Sequence, residues 1–175
     1  MPFEVRPAQP ADAAAIARVH IQSWMTTYPG IVPQPCIDAL SEEESRQRWL
    51  ARLEAADIPI FVAASQNGVF GFLAGGPIRT PIERYDGELY ALYLLKDHQR
   101  HGAGRALVQQ LAQTLQARGC QSMLVWVLEA NPAANFYQHL GAIPVTRQTI
   151  EIGGASLPEL ALGWPNLPRL ASIPS

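Results

Sequence analysis

The segment Gln99-Arg100-His101-Gly102-Ala103-Gly104-Arg105-Ala106 constrains this chain more than any other, because it divides two stretches of different periodicity. Before it, Glu88 to Leu95 is an aromatic and aliphatic run that reads as a central strand. After it, Val108, Leu111, Ala112 and Leu115 recur at i, i+3, i+4 and i+7, an amphipathic helix that Gly119 would stop. Met123 to Leu128 is then an apolar run suited to a buried strand. Strand, helix and strand in this order imply a right-handed parallel crossover.

Two glycines at the start of a helix let backbone N–H groups converge on one point, where unpaired donors and the helix dipole favour an anion such as a pyrophosphate. The same glycines would also serve a plain turn, and the pattern alone does not separate the two. An ATP-binding loop would need a Gly-Lys-Ser/Thr ending, which is absent, and a dinucleotide loop would want Gly or Ala where Leu107 stands.

Elsewhere the chain alternates helices and strands. Phe3 to Arg6 reads as a short strand, followed by a helix carrying Ala13, Ile16, Ala17, His20, Ile21 and Trp24 on one face. Tyr28-Pro29-Gly30, Pro33 and Pro35 mark a turn, and Ser41 with Glu44 forms a capping box for a helix to about Glu54. Asn67-Gly68 joins two strands as a hairpin, and a loop carrying Pro77, Pro81 and Asp86-Gly87 leads to the central strand. Asn131-Pro132 opens a short helix with Ala133, Phe136, Tyr137 and Leu140 on its apolar face and Gly141 as its stop. Val145 to Ile152 and Leu157 to Leu162 form a closing hairpin through Gly153-Gly154. Residues 1–164 are read as a single domain, and 165–175, with Pro165, Pro168 and Pro174, as a poorly ordered tail.

Composition narrows the function. With 13 basic residues against 15 acidic and only 16% charged, there is no basic stripe for nucleic acid. Cys36 and Cys120 have neither disulfide-scaffold nor metal-knuckle spacing, and His98 and His101 lack companion ligands, so no metal is expected. No signal-peptide pattern opens the sequence, and no apolar run approaches the roughly 18 residues that span a bilayer, so no membrane partner and a cytoplasmic location are expected.

The stretch from Glu88 to Gly141 resembles the GNAT superfamily of acyl-CoA-dependent N-acetyltransferases. Gln99-x-x-Gly102-x-Gly104 after a strand matches its phosphate-loop hallmark; Asn131, Ala134, Phe136-Tyr137 and Leu140-Gly141 match its second signature. The hairpin and the amino-terminal helices fall in family order. The resemblance implies an α+β fold of three layers: a mixed, mostly antiparallel sheet of about six to seven strands with splayed central strands, and about four helices.

It also implies a function: transfer of an acetyl group from acetyl-CoA to a primary amine, directly in a ternary complex; a CoA-binding or sensing module without catalysis is the alternative. By that resemblance, backbone groups at Leu94 and Leu95 pair with pantetheine, an N–H near Leu94 polarises the thioester, and the amides of Arg100, His101, Gly102, Ala103, Gly104 and Arg105 hold the pyrophosphate. Asn131 and Ala134 belong to the cofactor-binding set, although Asn131 is explained equally by a helix cap. Glu88, eleven residues before Gln99, is the candidate base, with a solvated strand-edge carboxylate as the other reading. Tyr137 is the candidate acid toward the thiolate, its free phenol pKa of about 10 being of the right order. His20, Trp24 and Tyr28 would line the acceptor cleft, though a satisfied core histidine explains His20 as well. The acceptor is a small-molecule or peptide amine, and a homodimer is open to the family.

Overall fold

Asn67 and Gly68, the latter at φ +101°, close the hairpin on which the sheet is built. The computed structural model describes residues 2–172. In chain order it contains β1 (Glu4–Pro7), α1 (Ala13–Thr27), α2 (Gln34–Asp38), α3 (Glu42–Ala55), β2 (Ile60–Ser65), β3 (Gly68–Ile82) and β4 (Tyr85–Leu94). Then follow α4 (Ala103–Ala117), β5 (Met123–Leu128), α5 (Ala133–His139), β6 (Ile143–Ile152), β7 (Ala155–Trp164) and α6 (Leu167–Ala171). The seven strands form one sheet in the order β1-β2-β3-β4-β5-β7-β6, antiparallel everywhere except between β4 and β5.

Alternation along β2 divides the core. Phe61 and Ala63 pack with Leu107 and Leu111 of α4, whereas Val62 and Ala64 pack with Ile16 of α1 and Leu53 of α3. Helices on both faces make the expected three-layer α+β fold. Leu107, Leu111 and Leu115 are at most 1% exposed, each contributing about 2 kcal/mol of burial free energy that clamps α4 to the sheet.

The feature that positions the site is a break between the middle strands. The β4–β5 pairing consists of Gly87 with Met123, Glu88 with Leu124 and Leu89 with Val125. On the other edge, Ala91 pairs with Ala74 and Leu89 with Gly75, leaving Tyr90 as an extra residue. Such a bulge bends a strand and increases its twist, and from Tyr90 to Leu94 β4 departs from β5. The expected splay is present.

Four expectations about elements differ. The turn around Pro33 and Pro35 contains a helix, α2, with Pro35 in its first turn, where a missing N–H costs nothing. The loop carrying Pro77 and Pro81 is instead the outer half of β3, which runs to Ile82; its register with β4 breaks between Pro77 and Ile82, so the prolines remove no ladder bond that the sheet needs. Helices number six among the described residues, not about four. Residues 165–172 are not a disordered tail: Leu167 and Leu170 of α6 are buried against α4, Asn166 caps Arg169 N–H at 3.0 Å, and Leu167 N–H reaches Gln121 O at 2.9 Å. Residues 173–175 lie outside the described residues. Among the described residues no helix is long and apolar enough to cross a membrane.

Candidate active site

Leu95 N–H donates to Phe70 O at 2.9 Å, continuing the β3–β4 ladder past the end of the strand. Antiparallel ladders alternate, so Leu94 and Leu92 turn their N–H and C=O groups away from β3 and into the splay. The Leu94 carbonyl receives Gln99 Nε2 at 3.1 Å and Ser23 Oγ at 3.4 Å, which ties α1 and the loop to this edge. Leu95 departs from expectation. Its N–H is spent on Phe70 and its carbonyl accepts His98 N–H at 2.9 Å, so Leu92 replaces it as the second residue opening backbone groups toward the splay.

The loop itself takes two left-handed residues, Arg100 at φ +63° and Gly102 at φ +88°. The first helical bond runs from Ala106 N–H to Gly102 O at 3.0 Å, so the N–H groups of Ala103, Gly104 and Arg105 form the open, positive end of α4. Gly104 is closely packed. A Cβ there would stand 3.1 Å from Leu94 Cδ1 and 3.2 Å from Phe136 Cζ, so its small size lets α4 close onto β4 and α5. His101 is exposed beside it, whereas His98 stacks on Phe70 at 4.4 Å and 17°. His98 Nδ1 and Arg105 Nε are buried without a hydrogen-bond partner among the described residues.

Across the splay, Asn131 Oδ1 accepts Ala133 N–H at 2.9 Å and its backbone carbonyl accepts Ala134 N–H at 3.1 Å, so it caps α5 as the sequence suggests. Its Nδ2 donates to the Tyr28 hydroxyl at 3.2 Å. Trp24 Nε1 donates to the Tyr93 hydroxyl at 3.1 Å, and the Trp24 and Tyr28 rings pack with their centres 4.5 Å apart. Thus Trp24 and Tyr28, expected in the acceptor cleft, and Asn131, expected on the cofactor side, belong to one network.

Tyr93, tied to Trp24 in this way, was not singled out in the sequence. Within Leu92-Tyr93-Leu94 it looks like one more core aromatic.

Tyr137 is 5% exposed, packed edge-on against Trp164, and its hydroxyl makes no hydrogen bond among the described residues. Burial, reinforced by the neighbouring Tyr93, pushes its phenol above the ordinary value and keeps it protonated at neutral pH. Tyr28 is raised in the same way, by burial first and then by Tyr93.

Glu88 is not a solvated edge carboxylate. It is 2% exposed and accepts Arg79 N–H at 2.9 Å and Arg79 Nε at 3.1 Å, with Arg79 Nη2 completing the fork. Arg79 itself stays 59% exposed and its guanidinium lies 4.3 Å from the Tyr90 ring centre. His20 is ringed by Trp24, Trp49, Phe72 and Tyr93, with Nδ1 3.4 Å from the buried Ser45 Oγ. Burial, aided by Arg48, lowers its pKa to about 4, so it is a neutral core histidine.

Bulged β4, parted β5 and a glycine-opened α4 coincide with a match of residues 20–142 to the acetyltransferase (GNAT) family. The chain belongs to the GNAT family. It is therefore an N-acetyltransferase, and GNAT relatives align along nearly its whole length. An uncharacterized N-acetyltransferase, YuaI, of Bacillus subtilis is 45% identical over 97% of this chain and 96% of its own. The L-amino acid N-acyltransferase MnaT of Escherichia coli is 28% identical over 86% of this chain and 85% of its own. Among solved structures, the protein yncA of Salmonella typhimurium, determined with acetyl-CoA, shares the fold at TM-score 0.70 and 22% identity, covering 94% of each chain.

Proposed function

We propose that this protein transfers the acetyl group of acetyl-CoA directly to the primary amine of an amino acid. The observation that carries the donor half is that the Leu94 and Leu92 backbone groups open into the same splay whose far end is the N-terminus of α4. A pantetheine chain pairs with β4 there while the pyrophosphate takes the N–H groups of Ala103, Gly104 and Arg105. Arg100 and His101 flank that pyrophosphate, and Arg105 Nε finds in it the acceptor that the protein does not supply. The fold shared with a protein solved with acetyl-CoA supports this reading.

The thioester carbonyl takes the Leu94 N–H, which stabilises the oxyanion as the amine attacks. Tyr137, protonated and without a protein partner, gives its proton to the leaving sulfur. The relative named for L-amino acids supports an acceptor of that class. Its carboxylate meets the exposed face of Arg79, and in drawing that guanidinium away it frees a Glu88 oxygen to take the amine's proton. His20, Trp24 and Tyr28 shape the acceptor side, His20 through packing alone.

Incubation with acetyl-CoA and paired amino acids and amino acid amides, read by mass spectrometry, tests this. Acetylation of the acids over the amides is expected, and equal or absent acetylation of both would refute the acceptor assignment.

A further inference from the structure

Glu88 holds its two oxygens by different means. Oε2 accepts the backbone N–H of Arg79 at 2.9 Å, whereas Oε1 accepts Nε at 3.1 Å and Nη2 of the Arg79 guanidinium. Nη1 makes no hydrogen bond among the described residues, so the guanidinium keeps an unused arm on a side chain that is 59% exposed. An arginine so exposed ordinarily exchanges rotamers freely, and one carboxylate does not fix which way the unused arm turns. Here a second group holds it: the guanidinium carbon lies over the Tyr90 ring, 4.3 Å from its centre. Three features of the fold put the ring there. Tyr90 is the extra residue of the β4 bulge, an irregularity of the kind that re-aims a side chain. Its hydroxyl donates to the Pro77 carbonyl. Gly76 makes room, since a Cβ at that position would stand 2.8 Å from the Tyr90 hydroxyl oxygen and 3.3 Å from Cε2.

We propose that Tyr90 is a specificity-determining positioning residue: its ring fixes the Arg79 guanidinium so that Nε and Nη2 grip Glu88 while Nη1 is presented to the carboxylate of the acceptor. The inference rests on the amino acid acceptor reading above. A carboxylate arriving at Nη1 competes with Glu88 Oε1 for the same cation, and the ring keeps the guanidinium in place while its hydrogen bonds pass from one carboxylate to the other. Glu88 is not displaced by this exchange, because the Arg79 backbone N–H stays on Oε2. An amine without a carboxylate makes no such exchange and gains nothing from the ring. Because the acid's carboxylate is held alike before and during acyl transfer, Tyr90 acts on the KM for the acid more than on kcat.

The test is steady-state kinetics of Tyr90→Leu and Tyr90→Phe on amino acids and the matching amino acid amides at saturating acetyl-CoA. Tyr90→Leu, which removes the ring face, is expected to raise KM for the acid about tenfold with kcat within about twofold, and to lower the preference for acid over amide by the same factor. Tyr90→Phe keeps the face and loses only the bond to Pro77, so it should restore most of the preference. Tyr90→Met, which fills much of the ring's volume without its π-face, serves if Tyr90→Leu does not fold. A Tyr90→Leu enzyme that keeps the wild-type preference or loses rate equally on acids and amides, or a Tyr90→Phe enzyme as impaired as Tyr90→Leu, overturns the inference while leaving the acceptor reading intact. A wild-type enzyme that acetylates acids and amides equally, or neither, overturns both.

Discussion

The Nδ2 of Asn131 donates to the Tyr28 hydroxyl at 3.2 Å, linking the cap of α5 to the residue that ends α1, 103 positions away in sequence. The link crosses the opening between β4 and β5, so the two lips of the cleft are held by one side chain that also caps a helix. The turn after α1 and the start of α5 are therefore mechanically joined.

Asn131→Asp and Asn131→Ala should differ accordingly. Aspartate keeps an oxygen for Ala133 N–H and can accept from Tyr28, whereas alanine loses both bonds and about 1 kcal/mol for the cap alone. Urea denaturation should rank wild type, then Asp, then Ala; an alanine variant as stable as the aspartate variant would show that the cap is not made.

The Arg79–Glu88 pair should break asymmetrically. Removing Arg79 strands a carboxylate that is 2% exposed, at a cost of about 3 kcal/mol, whereas Glu88→Gln frees an arginine already 59% exposed, at a cost of about 1 kcal/mol. Thermal denaturation of Arg79→Ala and Glu88→Gln checks the order. Equal midpoints would mean that Glu88 reaches solvent when unpaired.

Gly102 and Gly104 should fail for different reasons. An alanine at Gly102 meets no atom within 4 Å but must hold φ +88°, costing about 1 kcal/mol and distorting the N–H cradle. An alanine at Gly104 keeps helical angles but presses on Leu94 and Phe136, pushing α4 off the strand that opens the splay. Both should weaken acetyl-CoA binding by calorimetry, with only Gly104→Ala disturbing the packing of Phe136, visible in aromatic NMR shifts.

His20 makes the fold acid-sensitive. Its folded pKa of about 4 lies below the ordinary 6.5, so the unfolded chain binds a proton first as pH falls. The stability it contributes is complete above pH 6.5 and drains away between there and pH 4, by up to about 3 kcal/mol. Denaturation of wild type and His20→Gln across this window should show a shallower slope in the variant; parallel curves would place the acid sensitivity in the carboxylates.

The strand, the glycine loop and the helix after it were legible because each is a local pattern: an aliphatic run, two small residues and a 3.6-residue stripe. Asn131 was legible as a cap for the same reason. What was not legible is tertiary. Arg79 reaches Glu88 only because the outer half of β3 pairs with β4, and Pro77 and Pro81 made that half read as a loop. Two leucines three residues apart in α6 were masked by Pro165 and Pro168, although a proline in a first turn starts a helix as readily as it ends one. Tyr93 has no motif around it, and its tie to α1 comes from the Trp24 indole N–H that its hydroxyl accepts.

The most direct measurement is release of free CoA thiol from acetyl-CoA by the wild-type protein with and without an L-amino acid panel. If the splay binds the donor and Tyr137 protonates its sulfur, thiol appears only when an accepted amine is present, and Tyr137→Phe lowers the rate about a hundredfold with acetyl-CoA binding retained. Thiol release that ignores every amine, or that survives Tyr137→Phe unchanged, would contradict direct transfer at this site.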